Sequence, residues 1–69
     1  MPTFKVVYPD GSVAKNTKVN VSFDGGGMKS GITDTRGYVT ISGSSTHGKI
    51  YVRGREVHHG SLNIGEVTA

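Results

Sequence analysis

The chain contains no cysteine, so neither a disulfide nor a thiolate-bound metal can staple it. No window holds a helical apolar period over three turns, which argues against an α-helical fold. The N-terminal run Met1-Pro2-Thr3-Phe4-Lys5-Val6-Val7-Tyr8 has no basic stretch followed by a long apolar one. It therefore reads as neither a signal peptide nor a transmembrane helix. The expectation is a cytoplasmic protein without a membrane partner if these residues are the whole protein. For a piece of a larger or secreted protein the compartment stays open. Charge of one sign is also scarce. Eight Lys and Arg against five Asp and Glu leave a net charge of +3. That favours solubility but falls short of the concentrated positive face of a dedicated nucleic-acid binder.

Glycine is plentiful, with eleven residues against two prolines. The glycines separate short Val- and Ile-rich runs rather than forming tracts, which suits a turn-rich β fold and not disorder. Residues 1–69 make one small domain. A chain this short buries only ~60% of its unfolded surface, so the core is thin and self-association is one route to added stability.

Strand signals recur along the chain. Residues 3–8 alternate Phe4, Val6 and Tyr8 against Lys5 and Val7, and Pro9-Asp10-Gly11-Ser12 makes the following turn. Residues 13–17 read as a connector. The cleanest alternation is 18–24, with Val19, Val21 and Phe23 on one side and Lys18, Asn20, Ser22 and Asp24 on the other. Gly25-Gly26-Gly27 ends it. A short strand, 28–33, leads to the turn Asp34-Thr35-Arg36-Gly37. Asp34 suits the start of that turn because its carboxylate can bond the backbone two residues on, and Gly37 suits its left-handed end. Residues 38–42, 49–53, 55–59 and 61–67 supply the remaining strands, with the polar loop 43–48 between the first two.

Pairing 38–42 with 49–53 as a hairpin sets Ile41 opposite Ile50 and Val39 opposite Val52. Thr40 then faces Tyr51 and Tyr38 faces Arg53 on the other side, and a one-residue slip would mix the faces. An antiparallel sheet with one apolar face needs a cover, and with no helix available a second sheet provides it. The expected fold is an all-β Greek-key sandwich of six to seven short antiparallel strands, with a small β-barrel as the alternative. The expected core is Phe4, Val6, Val19, Val21, Phe23, Ile32, Val39, Ile41, Ile50, Val52, Leu62 and Ile64.

The order Asp10-Gly11-Ser12, Val19-x-Val21, Thr33-Asp34-x-x-Gly37-Tyr38-x-x-Ile41 and Gly48-Lys49-Ile50-Tyr51-Val52-x-Gly54 resembles the carboxypeptidase regulatory-like, or transthyretin-like, domain over roughly residues 4–64. Val13 stands where that family usually has proline, and the chain is shorter than most members. The resemblance implies a seven-stranded Greek-key sandwich acting as an accessory, folding or interaction module beside other domains, and it implies little about chemistry.

Candidate sites are few. His47, His58 and His59 lie close in sequence, but adjacent strand residues point to opposite faces, and only Glu56 adds a carboxylate nearby. Exposed polar positions describe them better than a metal site. Gly25-Gly26-Gly27 before Lys29-Ser30 lacks the spacing and the following helix of a P-loop. No nucleophile is paired with a base, so no catalysis and no cofactor are expected. Tyr38, Lys49, Tyr51 and Arg53 are expected to share one outward face that could take nucleic acid or a glycan. The same residues also suit a solvated sheet face. Residues 61–67, if an edge strand, offer backbone groups to another chain or a second copy, covering Val57, Leu62 and Val67. The expectation is a non-catalytic module that binds a protein partner or itself. An anionic ligand on the Tyr38–Lys49–Tyr51–Arg53 face is the alternative. Asp34 and Gly37 are structural, so function belongs on the face their turn positions.

Overall fold

A computed structural model describes residues 3–43 and 45–69; Ser44 of the loop 43–48 lies outside the described residues. The seven strands are β1 (Thr3–Val7), β2 (Lys18–Phe23), β3 (Met28–Ile32), β4 (Tyr38–Thr40), β5 (His47–Val52), β6 (Arg55–Ser61) and β7 (Glu66–Thr68). They form a three-stranded sheet in the order β4-β1-β7 and a four-stranded sheet in the order β3-β2-β5-β6. No helix occurs among the described residues, so none is long and apolar enough to cross a membrane.

The β2 alternation appears directly in burial. Val19, Val21 and Phe23 are buried while the residues between them are not. Phe4 and Val6 on β1 oppose them from the other sheet, and both sets belong to one core cluster. Ala14 and Val67 are also buried there, although neither stands out in the sequence. Ile64, expected inside, only packs against the core from a half-buried position.

Two pairings differ from expectation. β4 and β5 are not a hairpin. β4 pairs with β1, placing Tyr38 opposite Lys5 and Val39 opposite Phe4. β5 pairs instead with β2, Val21 facing Ile50 and Val19 facing Val52. The apolar match of Val39 and Ile41 with Ile50 and Val52 is real as a shared core, but it is met across the sandwich rather than along a ladder. The expected hairpin fails because a matching apolar face specifies which side points inward, not which strand is the neighbour. The six-residue β2 gives β5 a longer ladder than the three-residue β4 can. The second difference is that β7 runs parallel to β1, with Val6 beside Val67. The strands are therefore not all antiparallel.

Ile32 is the clearest correction to the core. It is 68% exposed. It lies opposite Lys18 on the outer side of the sheet, while Gly31, opposite the buried Val19, takes the inner position. A Cβ built on Gly31 would stand 2.9 Å from Val39 Cγ2 and 3.0 Å from Ile41 Cδ1. The missing side chain is thus what lets β4 and the residues after it close down over β3.

Among the described residues, Thr33 is the one buried polar residue. Its hydroxyl donates to the Ala14 carbonyl and accepts from the Thr17 amide at 2.9 Å. It ties the end of β3 to the connector that crosses between the sheets. Thr33→Val keeps the shape and strands both partners, and should cost ~2–3 kcal/mol in urea unfolding.

Candidate interaction surface

The outer face of the four-stranded sheet is built row by row from its register. One row runs Met28, Ser22, Lys49, His59, and the next Ser30, Asn20, Tyr51, Glu56; Ile32 and Lys18 begin a third. Lys49 and Tyr51 therefore share a face, with the Glu56 carboxylate in the Tyr51 row. Tyr38 is not on it. It sits on the other sheet, where Lys5 Nζ lies 5.9 Å from its ring centroid, in range of a cation–π contact. Nor does Arg53 extend β5. It occupies the hairpin turn to β6 with φ +56, followed by Gly54 at φ +82. Positive φ at both central residues marks the turn type that suits strand twist and favours Asn-Gly. The expected four-residue face of Tyr38, Lys49, Tyr51 and Arg53 is thus distributed over two sheets and a turn, because the hairpin that would have joined it does not form.

Arg53 and Arg55 flank a hollow of about 350 Å³ whose walls include Tyr8, Val52 and Val57. Arg53→Asn replaces a residue that resists left-handed backbone with one that tolerates it. It should raise stability by ~0.5–1 kcal/mol in thermal or urea unfolding while removing a guanidinium from that hollow.

The histidines do not converge. His47 Nδ1 is 3.1 Å from Thr46 Oγ1, His58 Nε2 donates to the Ser61 carbonyl at 2.7 Å, and His59 faces outward opposite Lys49. Among the described residues no group of three or more His, Cys, Asp or Glu side chains is placed to hold a metal ion.

The Asp34 turn closes one edge of the sandwich. Asp34 Oδ1 accepts from the Arg36 amide at 2.8 Å and the Tyr38 amide at 3.0 Å. The Asp34 amide donates to the Tyr38 carbonyl, and the Gly37 amide donates to the Asp34 carbonyl. On β4, Val39 bonds toward β1, as the Val6 amide to Gly37 carbonyl bond two residues away requires, so Tyr38 directs its backbone groups outward. Asp34 consumes both of those groups. The turn thus caps the β4 edge at Tyr38.

The other edges are blunted differently, except one. β6 is irregular where the ladder shifts at Ile50 and Tyr51, and a bulge twists an edge away from pairing. β7 has three residues. Residues 61–67, expected to form an edge strand, contribute only the first two residues of β7 and the last of β6. β3 is five residues long and regular. The Phe23 amide bonds the Gly27 carbonyl and the Thr33 amide bonds the Thr17 carbonyl. Alternation along the ladder therefore turns Lys29 and Gly31 toward β2 and leaves the amides and carbonyls of Met28, Ser30 and Ile32 facing outward. Among the described residues, Met28 and Ile32 are also the most exposed large apolar side chains, at 61% and 68%. Reading β3 as an ordinary half-buried strand misses this edge. The signal in the sequence was Gly31 at the inward position, which leaves the apolar residues on either side of Ser30 nowhere to be buried.

Comparison with family models, with curated proteins and with solved structures returns no match.

Proposed function

We propose that this chain is a non-catalytic interaction module that binds an extended polypeptide segment along β3 by strand addition. The observation supporting it is the coincidence on one strand of unpaired backbone groups and exposed apolar side chains at Met28 and Ile32. Backbone pairing supplies affinity in this mode, and alternate side chains supply selectivity. The reading suits the accessory role implied by the resemblance to carboxypeptidase regulatory-like domains. That family assignment is a proposal resting on the Thr33-Asp34-x-x-Gly37-Tyr38 turn and its neighbours.

The test compares wild type with Ser30→Pro. The Ser30 amide points away from β2, so proline removes a donor that only a partner would use, and edge strands tolerate proline. Polypeptides retained by immobilised wild type should bind Ser30→Pro at least ~10-fold more weakly, the loss of about 1.4 kcal/mol expected of a deleted edge bond and its neighbours. Equal retention by both forms overturns the strand-addition reading.

A second reading, an anionic ligand, is favoured by the two arginines at the hollow beside Tyr8. Binding of an oligonucleotide or sulfated glycan that is lost in Arg53→Asn and falls steeply with salt would carry it. Binding unaffected by Arg53→Asn would remove it.

A further inference from the structure

The β3 edge is complementary to itself, and we infer that its partner is a second copy of this chain, the two β3 strands pairing antiparallel about a two-fold axis through Ser30. This rests on the strand-addition reading and names its occupant. In that register Ser30 faces Ser30 of the second copy, and Met28 faces Ile32 of the second copy in both directions. These are the residues whose amides and carbonyls point outward, so each pair exchanges two backbone hydrogen bonds. The same three positions carry their side chains to the outer face of the sheet. The exposed apolar side chains Met28 and Ile32 therefore meet their counterparts in two apolar pairs, one on each side of the Ser30 pair, instead of facing water.

Charge selects the same register. Lys29 lies on the opposite face of β3 and falls across from Gly31 of the second copy, so no like charge meets it. Moving the axis one residue toward the N-terminus sets Lys29 against its own counterpart, which like-charge repulsion disfavours, and leaves Ile32 facing the glycine loop. Moving it one residue the other way sets Met28 against Asp34. Only the Ser30-centred register uses the whole strand. The product is a continuous eight-stranded sheet with the order β6-β5-β2-β3 and its reverse. The three-stranded sheet offers less, because β4 and β7 have three residues each and Asp34 occupies the outward groups of Tyr38. Isologous pairing of this kind closes on itself and does not propagate into fibres.

A five-residue strand pair buries less than the ~1,200 Å² of a standard interface, so the dimer is a weak one. Sedimentation equilibrium of the purified chain from ~10 μM to ~1 mM should show the mass rising toward two chains, a range matched to interfaces of this size. Ser30→Pro, with unchanged circular dichroism, should stay at one chain throughout. Wild type that stays at one chain across that range overturns the dimer. So does a Ser30→Pro variant that associates as wild type does. Should Ser30→Pro not fold, the absence of native cysteine allows single thiols to decide. With a short bis-maleimide linker, Ser30→Cys should cross-link at least about tenfold faster than His59→Cys, which sits on the far edge strand and lacks the same proximity. Equal rates overturn the inference. A monomeric wild type that still retains a polypeptide in a Ser30-dependent manner removes the dimer and leaves the strand-addition reading standing. Loss of both overturns the strand-addition reading together with the dimer.

Discussion

Gly37→Val should leave the chain without a cooperative unfolding transition. Gly37 has φ +86, where a β-branched residue is strained by ~1–3 kcal/mol. Space adds a second cost. A Cβ at Gly37 would stand 2.9 Å from the Val6 carbonyl oxygen and 3.1 Å from Val13 Cβ. Neither atom yields easily, because the Val6 carbonyl accepts from the Ala14 amide and the Gly37 carbonyl accepts from the Val6 amide. Overpacking of this kind costs a further ~1–3 kcal/mol. A domain of this length has roughly 3–10 kcal/mol in all, and a combined cost of ~2–6 kcal/mol spans the lower part of that range. The measurement is the far-ultraviolet circular dichroism melt, with Gly25→Ala as control. Nothing lies within 4 Å of a Cβ at Gly25 and its φ is not left-handed, so that variant should melt within a few degrees of wild type. A Gly37→Val protein that melts as wild type does would mean the turn does not govern the fold.

Phe4→Ala should cost ~3–5 kcal/mol, and Ile32→Ala less than ~0.5 kcal/mol. The pair is informative because both residues read as core in the sequence. Phe4 is fully buried on β1, the central strand of its sheet, facing the buried side of β2 and β5. Removing its ring leaves a cavity between two sheets held apart by the other side chains, and relaxation fills only part of it. Ile32 loses contact chiefly with water. Because Phe4→Ala can unfold so small a protein, Phe4→Leu provides the measurable midpoint at ~1–2 kcal/mol in urea titration. A large loss at Ile32 measured at low protein concentration would contradict the outward placement of that side chain. Measured at high concentration, it would report the interface between copies, so the concentration dependence of the two variants should differ. Phe4→Leu should be insensitive to it and Ile32→Ala should not.

Strand positions were legible where a run alternates without interruption. β1 and β2 carry their inward residues at every second position, and burial follows that alternation to the residue. The Asp34 turn was legible because its chemistry is local. A carboxylate reaching amides two and four residues on, and a glycine at positive φ, need nothing from the rest of the chain. β3 was less legible. Its inward position is a glycine, so the apolar residues beside it mimic a core signal that they do not carry. Arg53 was misplaced for a related reason. It continues an alternation, but the Gly54 that follows makes a two-residue turn of the pair, and the turn overrides the pattern.

The candidate surface depended on information of another kind. Alternation assigns each side chain to a face, and it does so equally well for any partner strand. Whether Tyr38 and Tyr51 share a sheet depends on which strand lies beside β4, and Val39 satisfies its apolar requirement against β1 as readily as against β5. The same holds for the parallel pairing of β7 with β1, which joins the two ends of the chain through contacts no local window contains.

The amino-acid sequence by itself determined the all-β class, the approximate strands, the inward residues of the regular ones and the turn at Asp34 and Gly37, because each follows from backbone preference and a two-residue period. Tertiary structure alone decided which strands are neighbours. By doing so it placed Tyr38 apart from Lys49 and Tyr51, capped one edge with Asp34 and left β3 open, because ladder partners are chosen by closing the whole core and not by any one strand.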